Sequence, residues 1–254
     1  MRRIKLVVSY DGTNYQGWQR QEGRRSIEGE LNRALSMLLP EERPEVVGAS
    51  RTDSGVHALG NVACFDTASS IPALRFPMAL NRYLPEDIRV LSGEEVPEHF
   101  HPRFTPHEKH YLYRIDRSRI PLPERRLYCY AFSFPLDLAA MRRAAAYLEG
   151  EHDFRSFVNP DSQVFRHGGD AVRTIYAIRI EEESAPGQAG ELVFRISGSG
   201  FLYHMIRILV GTLLEVGRGR RCPEEMPEIL SARDRRAAGQ TVPAKGLCLA
   251  ELRY

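Results

Sequence analysis

Residues Gly48–Gly60 have the sequence GASRTDSGVHALG, which places Arg51, Asp53 and His57 between two apolar runs. Asp-Ser-Gly is typical of a turn, because aspartate can bond to the backbone two residues on and glycine accepts a positive φ. A turn at the end of a strand also lets backbone approach a ligand, and the three polar side chains favour a functional site. The stretch therefore predicts either a turn that only joins two strands or a loop that presents Asp53 for chemistry.

Six segments around this stretch have the β-branched and aromatic content of strands. They are Ile4–Tyr10, Asn61–Thr67, His110–Asp116, Thr174–Glu182, Leu192–Gly198 and Leu247–Tyr254. Ser26 and Asp137 precede apolar residues at helical spacing, so each is predicted to be a helix N-cap, and Gly150 is placed to end the second helix. Because strands and helices do not alternate regularly, we expect an α+β fold with a largely antiparallel sheet.

The length of 254 residues allows one large or two modest domains. The segment HPRFTPHEKH, residues 101–110, contains two prolines and is the best candidate for a boundary. We expect an N-terminal half at residues 1–104, which carries the Asp53 loop, and a C-terminal half at residues 105–254.

The apolar segment from Phe201 to Val216 predicts a helix that carries a stripe of polar and small residues. The stripe consists of Gly200, His204, Arg207, Gly211 and Glu215, which recur every three or four positions. A buried arginine is costly unless a carboxylate or a phosphate meets it. The stripe therefore indicates a functional surface or, as the simpler alternative, a face exposed to solvent.

The formal net charge of +2 at pH 7 conceals an uneven distribution. Only 3 of the 35 basic residues are lysine, and residues 1–25 hold six basic and two acidic side chains. Arginine binds phosphate in a bidentate manner and stacks on bases, so this bias favours an RNA-binding surface. Codon bias in a GC-rich genome is the alternative.

The first residues, MRRIKLVVSYDG, contain an apolar stretch too short for the core of a signal peptide or for a membrane span. We therefore expect a cytoplasmic protein that does not associate with a membrane. The four cysteines, Cys64, Cys129, Cys222 and Cys248, lack the C-x-x-C spacing of a zinc ribbon and do not suggest a disulfide framework. We expect them to be reduced and mostly buried.

Five stretches, in their order along the chain, resemble the TruA family of tRNA pseudouridine synthases. They are YDGTNYQGWQRQ (10–21), SRTDSGVHALG (50–60), FHPRFTPHEKHYLYRI (100–115), GFLYHMIRILVGTLLEVGRG (200–219) and AKGLCLAELRY (244–254). The resemblance implies a pseudouridine synthase fold, with two α/β halves sharing a mixed, largely antiparallel sheet and a central basic cleft. It also implies a homodimer that isomerises uridine to pseudouridine at positions 38, 39 and 40 of the tRNA anticodon stem-loop, without a cofactor.

The same resemblance assigns the catalytic residues. Asp53 is the nucleophile, and Arg51 beside it would fill the stack left by a flipped base or hold a phosphate. Tyr111 would stack on the base and pass a proton, and Arg207 would favour the ionised form of the aspartate. Six further residues are expected to contact the substrate: Arg20, Arg24, Arg25, Lys109, His57 and His204.

Ser50 and Ser54 stand where the family usually has glycine and alanine, which leaves Asp53 intact and bears on how closely the loop approaches a nucleotide. Two alternatives stay open. One is a non-catalytic RNA-binding protein on the same scaffold. The other is a metal-dependent hydrolase, whose ligands would be drawn from His99, His101, His107 and His110 with Asp53 and His57.

Overall fold

The structure of the chain is a computed structural model that describes residues 1–166, 169–183 and 190–254. The strands are β1 (Arg2–Tyr10), β2 (Val47–Gly48), β3 (His57–Thr67), β4 (Ile88–Val96), β5 (Glu108–Asp116), β6 (Tyr130–Ala131), β7 (Gly150–Asp153), β8 (Val172–Glu183), β9 (Glu191–Gly198) and β10 (Leu247–Arg253). The α-helices are α1 (Ile27–Leu38), α2 (Phe76–Leu80), α3 (Leu138–Ala146), α4 (Gln163–Arg166), α5 (Met205–Gly217) and α6 (Met226–Ala232).

The chain forms two compact units, which are Met1–His107 with Cys248–Tyr254, and Glu108–Leu247. The boundary lies a few residues beyond the one expected after residue 104, and the last strand belongs to the first unit instead of the second. The reason is a long-range strand pairing that no local pattern records. β10 runs parallel to β3, with Cys248 opposite His57 and Leu249 opposite Ala58.

The sheet of the first unit is mixed. Its strand order is β4-β1-β3-β10, and β2 also pairs with β3. β1 is antiparallel to both of its neighbours, whereas β10 is parallel to β3. Side chains alternate along β1, so that Ile4, Leu6 and Val8 are fully buried while the residues between them are half-buried. This alternation places the apolar core of the first unit on one face of β1.

The sheet of the second unit has the order β5-β9-β8-β7, with antiparallel pairs throughout, and β6 runs parallel to β5. Helices α3 and α5 pack against each other. Gly217, at the end of α5, lies so close to Met141 of α3 that a β-carbon would overlap the thioether. A glycine therefore permits the close approach of these two helices.

The α+β fold class and the six predicted strands are confirmed. The predicted N-caps are confirmed as well, because Ser26 Oγ accepts from the Gly29 amide and Asp137 Oδ1 accepts from the Ala140 amide. The prediction that Gly150 ends the second helix is wrong. Helix α3 ends at Ala146, and Gly150, with a φ of 99°, opens strand β7.

Helix α5 begins at Met205, later than the apolar pattern predicted, so Gly200 and His204 of the stripe lie outside it. The reason is the backbone of His204, whose φ of 63° is left-handed and interrupts a right-handed helix. Within the helix, Arg207, Gly211 and Glu215 remain at the spacing that places them on one face.

The cysteines are free thiols, but they are not mostly buried. Cys64 and Cys129 are buried, Cys248 is half-buried, and Cys222 is exposed where it caps a short helical turn. Burial raises the pKa of the Cys64 thiol to about 11 and that of Cys129 to about 12. Within the three described ranges, none of the helices has the length and apolar character needed to cross a bilayer.

Candidate active site

The Asp53 stretch forms a turn in the first unit. The Val56 amide donates to the Asp53 carbonyl oxygen at 3.1 Å, and Gly55 has a positive φ of 77°. Asp53 is half-buried, between a buried Thr52 and an exposed Ser54. The stretch is therefore a turn, as its Asp-Ser-Gly sequence predicts, and the turn leaves the Asp53 side chain partly accessible.

The segment after β1 holds this turn from both sides. The Trp18 amide donates to the Thr52 carbonyl oxygen at 3.0 Å, and the Gly55 amide donates to the Tyr15 carbonyl oxygen at 3.3 Å. Gly17 has a φ of 85°, and a β-carbon there would lie 2.5 Å from the Thr52 carbonyl oxygen, so only glycine permits this approach. Residues 10–21 and 50–60 thus fold against each other and fix the backbone around Asp53.

A buried chain of hydrogen bonds supports the turn. The hydroxyls of Thr52 and Tyr10 are 2.9 Å apart. Asn61 Nδ2 donates to Tyr10 Oη at 3.2 Å and to the Ser50 carbonyl oxygen at 2.9 Å. All four residues are buried. Tyr10, Thr52 and Asn61 were not predicted to have a role, although an asparagine inside an apolar strand indicates a buried polar contact.

His57 is buried beneath the turn that follows β1. Its Nδ1 accepts from the Gly12 amide at 3.1 Å and lies 3.1 Å from Asp11 Oδ1. Asp11 Oδ1 in turn accepts from the Thr13 amide at 2.9 Å. The imidazole therefore fixes this turn, and an effect of His57 on a substrate would act through it.

Arg20 and Arg24 lie on the exposed loop before α1. Arg20 pairs with Glu45 at 3.1 Å, and both side chains are mostly exposed. Arg24 Nη1 donates to Gln16 Oε1 at 3.4 Å. Exposed pairs of this kind contribute little to stability, so a phosphate can displace these partners at small cost.

Arg25 is held more firmly than its neighbours. Its Nε donates to Glu30 Oε1 at 2.9 Å, and its guanidinium lies 4.8 Å from the centre of the Tyr15 ring. The hydrogen bond to Glu30 raises the pKa of Arg25, so the side chain stays charged. This arginine fixes the start of α1 to the segment that supports the Asp53 turn.

In the second unit, Tyr111 lies on β5 opposite Ile196 of β9. It is buried, and its ring meets Phe201 edge to face with the centroids 5.3 Å apart. Tyr113 lies two residues further along β5, so both tyrosines are on the same face of the sheet. The Tyr113 hydroxyl donates to the Pro243 carbonyl oxygen at 2.8 Å. Tyr113 was not predicted to have a role, although the alternation Tyr-Leu-Tyr is typical of two side chains on the same face of a strand.

Arg207 lies in the first turn of α5, and its Nε donates to the Val242 carbonyl oxygen at 2.8 Å. One turn further on, a β-carbon on Gly211 would overlap the Gln240 carbonyl oxygen. Glu215 Oε1 accepts from the Gln240 amide at 3.3 Å. The stripe therefore packs against residues 240–242, and the simpler alternative of a solvent-facing stripe is wrong.

The segment after residue 240 also links Arg207 to the tyrosine strand. Burial raises the pKa of the Tyr113 phenol, whereas the charge of Arg207 acts in the opposite direction. Gly246 lies against the Tyr113 ring so closely that a β-carbon would come within 2.7 Å of it. Residues 242–246 therefore hold Arg207 and Tyr113 in one neighbourhood of the second unit.

A family model described as tRNA pseudouridine synthase matches residues 6–105 and 144–254. The chain belongs to the tRNA pseudouridine synthase family. The match to this family includes Asp53 and Arg207, whereas Tyr111 lies between the two matched segments.

Relatives named tRNA pseudouridine synthase A match nearly the whole chain. That of Anoxybacillus flavithermus is 45% identical over 256 residues, which cover 100% of this chain and 99% of the relative. That of Halalkalibacterium halodurans is 46% identical, covering 97% of this chain and 90% of the relative. That of Bacillus subtilis is 45% identical, covering 99% of both. The similarity to these family members therefore extends over both units.

The two remaining residues that the sequence analysis expects to contact the substrate lie in the second unit, and both are half-buried. Lys109 is on β5, opposite Gly198 of β9. His204 Nδ1 lies 3.2 Å from Asn159 Nδ2, and the His204 ring lies against Tyr203 with the centroids 3.9 Å apart. His204 is thus fixed at the start of the helix that carries the arginine of the family motif.

Histidines that would serve a metal-dependent hydrolase have other partners in this family member. His101 Nδ1 accepts from the amides of Arg103 and Phe104 at 3.1 and 3.3 Å. His107 Nδ1 lies 2.7 Å from the Thr105 carbonyl oxygen. In the part of the chain that the structure describes, no three His, Cys, Asp or Glu side chains are arranged to hold a metal ion. These positions do not favour the hydrolase.

Proposed function

We propose that this protein isomerises uridine to pseudouridine at positions 38, 39 and 40 of the tRNA anticodon stem-loop, with Asp53 as the nucleophile. The observation that supports this most directly is the Asp53 turn, where a half-buried carboxylate stands on a backbone held from both sides. Family membership supports the reaction class. The resemblance of five motifs to the TruA family supports the target positions.

The reaction is an isomerisation, so its balance needs no oxidant or reductant. The bond between ribose C1′ and uracil N1 breaks, the uracil rotates and the bond between C1′ and C5 forms. The proton on C5 is lost to a base and N1 takes up a proton, so the product has the same atoms as the substrate. An ionised carboxylate is an adequate nucleophile for the sugar or for the base. Asp53 is released as the carbon–carbon bond is completed, which restores the free carboxylate.

Arg51, Tyr111 and Arg207 supply the other steps in this proposal. The target base must leave the stem, and Arg51, which is exposed two residues before Asp53, enters the vacated stack or holds a flanking phosphate. Tyr111 packs on the uracil and passes a proton. Arg207 supplies the positive charge that favours the ionised form of the nucleophile.

We also propose that the protein acts as a homodimer in the cytoplasm and binds tRNA in a central basic cleft. The expected substrate contacts are Arg20, Arg24, Arg25, Lys109, His57 and His204. The exposure and weak pairing of Arg20 support its part in this, because its partner Glu45 is easily displaced. His57 contributes through the turn that it fixes.

Mapping of pseudouridine in unmodified tRNA transcripts after incubation with the protein tests the proposal. We expect modification at positions 38, 39 and 40, and a transcript with cytidine at one of these positions should lose modification there alone. Tight tRNA binding without any pseudouridine would favour the non-catalytic RNA-binding protein. Modification only outside the anticodon stem-loop would contradict the proposed target.

A further inference from the structure

The segment His101–Thr105 in the first unit is a tight turn that projects two exposed residues, Arg103 and Phe104. The His101 carbonyl oxygen accepts from the amides of Phe104 and Thr105 at 3.2 and 2.9 Å. Thr105 Oγ1 accepts from the His101 amide at 3.0 Å. Three hydrogen bonds thus close a turn of five residues and fix the directions in which its side chains project.

The turn is also anchored from behind. Phe100 is buried and packs on Tyr254 with the ring centroids 5.0 Å apart. The Tyr254 hydroxyl donates to the Pro102 carbonyl oxygen at 2.5 Å. The residues that precede Arg103 are therefore held by the end of β10, and little conformational entropy remains to be lost when the turn binds a ligand.

Phe104 exposes a large apolar surface on this fixed turn. It is 74% exposed, and its ring lies nearly parallel to that of His101, with 4.3 Å between centroids and 23° between planes. Burial and then the charge of Arg103 lower the pKa of His101, which favours the neutral imidazole. The outer face of a supported aromatic ring is the surface on which single-stranded bases stack.

Arg103 reaches from this turn to the start of the catalytic loop. Its Nη2 lies 3.4 Å from the Gly48 carbonyl oxygen, which is a long hydrogen bond for a guanidinium. Burial and then the charge of Arg51 lower the pKa of Arg103. Among the described residues, neither arginine has an ion pair with a carboxylate. Glu28 acts on Arg103 in the opposite direction but makes no ion pair with it. Two guanidinium groups that repel each other and have no ion-pair partner favour an anion between them.

We propose that this turn binds one nucleotide close to the target uridine, with Arg103 and Arg51 on its phosphate and Phe104 stacked on its base. The contact between Arg103 and Gly48, five residues before Asp53, is what links the bound nucleotide to the site of the reaction. The exposed Phe104 ring can stack on a base, and the two arginines can bind a phosphate. This combination favours RNA as the ligand over a protein surface. This inference rests on the proposed function.

The test measures binding of an unmodified tRNA transcript to the whole protein over a range of salt concentrations. Arg103→Gln should lower the slope of log affinity against log salt by about one unit. Phe104→Ala should weaken binding by about 5-fold to 150-fold without changing the slope, because it removes stacking and no charge. Phe104→Trp should restore the affinity.

Leu74 and Arg75 provide matched controls, since they are an exposed apolar residue and an exposed arginine on a short helical turn of the same unit. Leu74→Ala and Arg75→Gln should bind tRNA as the parent does.

If Arg103→Gln and Phe104→Ala behave like these controls while the parent forms pseudouridine, the inference is overturned and the proposed function stands. If the parent forms no pseudouridine, the proposed function is wrong, whatever the variants of the turn show. A Phe104→Ala variant that changes only self-association would assign the ring to a contact between copies and also overturn the inference.

Discussion

The indole ring of Trp18 lies directly against Gly48, so closely that a β-carbon on the glycine would overlap the ring. Trp18 is 1% exposed, and its backbone amide donates a hydrogen bond to the Thr52 carbonyl oxygen. One buried residue therefore fixes the backbone at two points of the loop that carries Asp53. Precise placement of a catalytic group depends on packed support of this kind.

Gly48→Ala should destabilise the protein by about 1–3 kcal/mol, because the added methyl group forces the indole or the loop to move. Denaturant unfolding measures this change. Gly200→Ala is the matched control, since the nearest atom to its β-carbon belongs to the Arg173 side chain at 3.8 Å. Equal stabilities of the two variants would contradict the tight contact at Trp18.

Tyr10→Phe should lower both stability and turnover. It leaves the buried side chains of Thr52 and Asn61 without the hydroxyl that joins them, at a cost of about 1–3 kcal/mol. Because the same bonds position the loop, kcat should fall more than KM changes. Tyr176→Phe removes a hydroxyl from a tyrosine that is 46% exposed and should change neither. A silent Tyr10→Phe variant would mean that the buried chain does not support the loop.

Local patterns predicted the elements that local interactions determine. Ser26 and Asp137 cap helices through bonds within their own first turns, so the sequence alone shows them. The pairing of Cys248 with His57 joins distant parts of the chain, and no periodicity records it. Consequently the sequence did not show that the last strand belongs to the first unit.

In the candidate site, too, the features set by local sequence were predicted and those set by distant contacts were not. Asp53 and its turn followed from Asp-Ser-Gly and from the motif around it. His57 was expected to contact the substrate, but its side chain is buried and its Nδ1 accepts from the Gly12 amide. The start of α5 was missed because the left-handed backbone of His204 depends on its surroundings and not on helix propensity.

The exposed thiol of Cys222 should react with a thiol reagent at neutral pH while Cys64 stays unmodified. Burial raises the pKa of Cys64 to about 11, so its reactive thiolate is scarce in the folded protein. In the unfolded chain the Cys64 thiol loses its proton at a lower pH than in the folded protein. The contribution of Cys64 to the free energy of unfolding should therefore fall as the pH rises from about 9 towards 11. Cys222→Ser should abolish labelling at the exposed site, and peptide mapping separates this from any labelling of the half-buried Cys248. Rapid labelling of Cys64 itself would contradict its burial.

Arg207→Met should lower kcat by about 100-fold or more, because it removes a positive charge proposed to act on the nucleophile. With less support for the ionised carboxylate, the acid limb of the pH–rate profile should move to higher pH. Arg207→Lys keeps the charge but loses the bond from Nε to the Val242 carbonyl oxygen, so its acid limb should stay near that of the parent. Weaker tRNA binding with kcat and the acid limb unchanged would assign Arg207 to a phosphate instead.

The role of Asp53 as the nucleophile is tested by tritium release from tRNA labelled at uridine C5, measured for the parent and for Asp53→Asn. Asparagine has nearly the same shape but is not a competent nucleophile, so we expect release to be abolished while the melting temperature and tRNA affinity are retained. Asp161→Asn, at an exposed aspartate of the second unit, should release tritium as the parent does. Turnover of Asp53→Asn within about tenfold of the parent would contradict the assignment of Asp53 as the nucleophile.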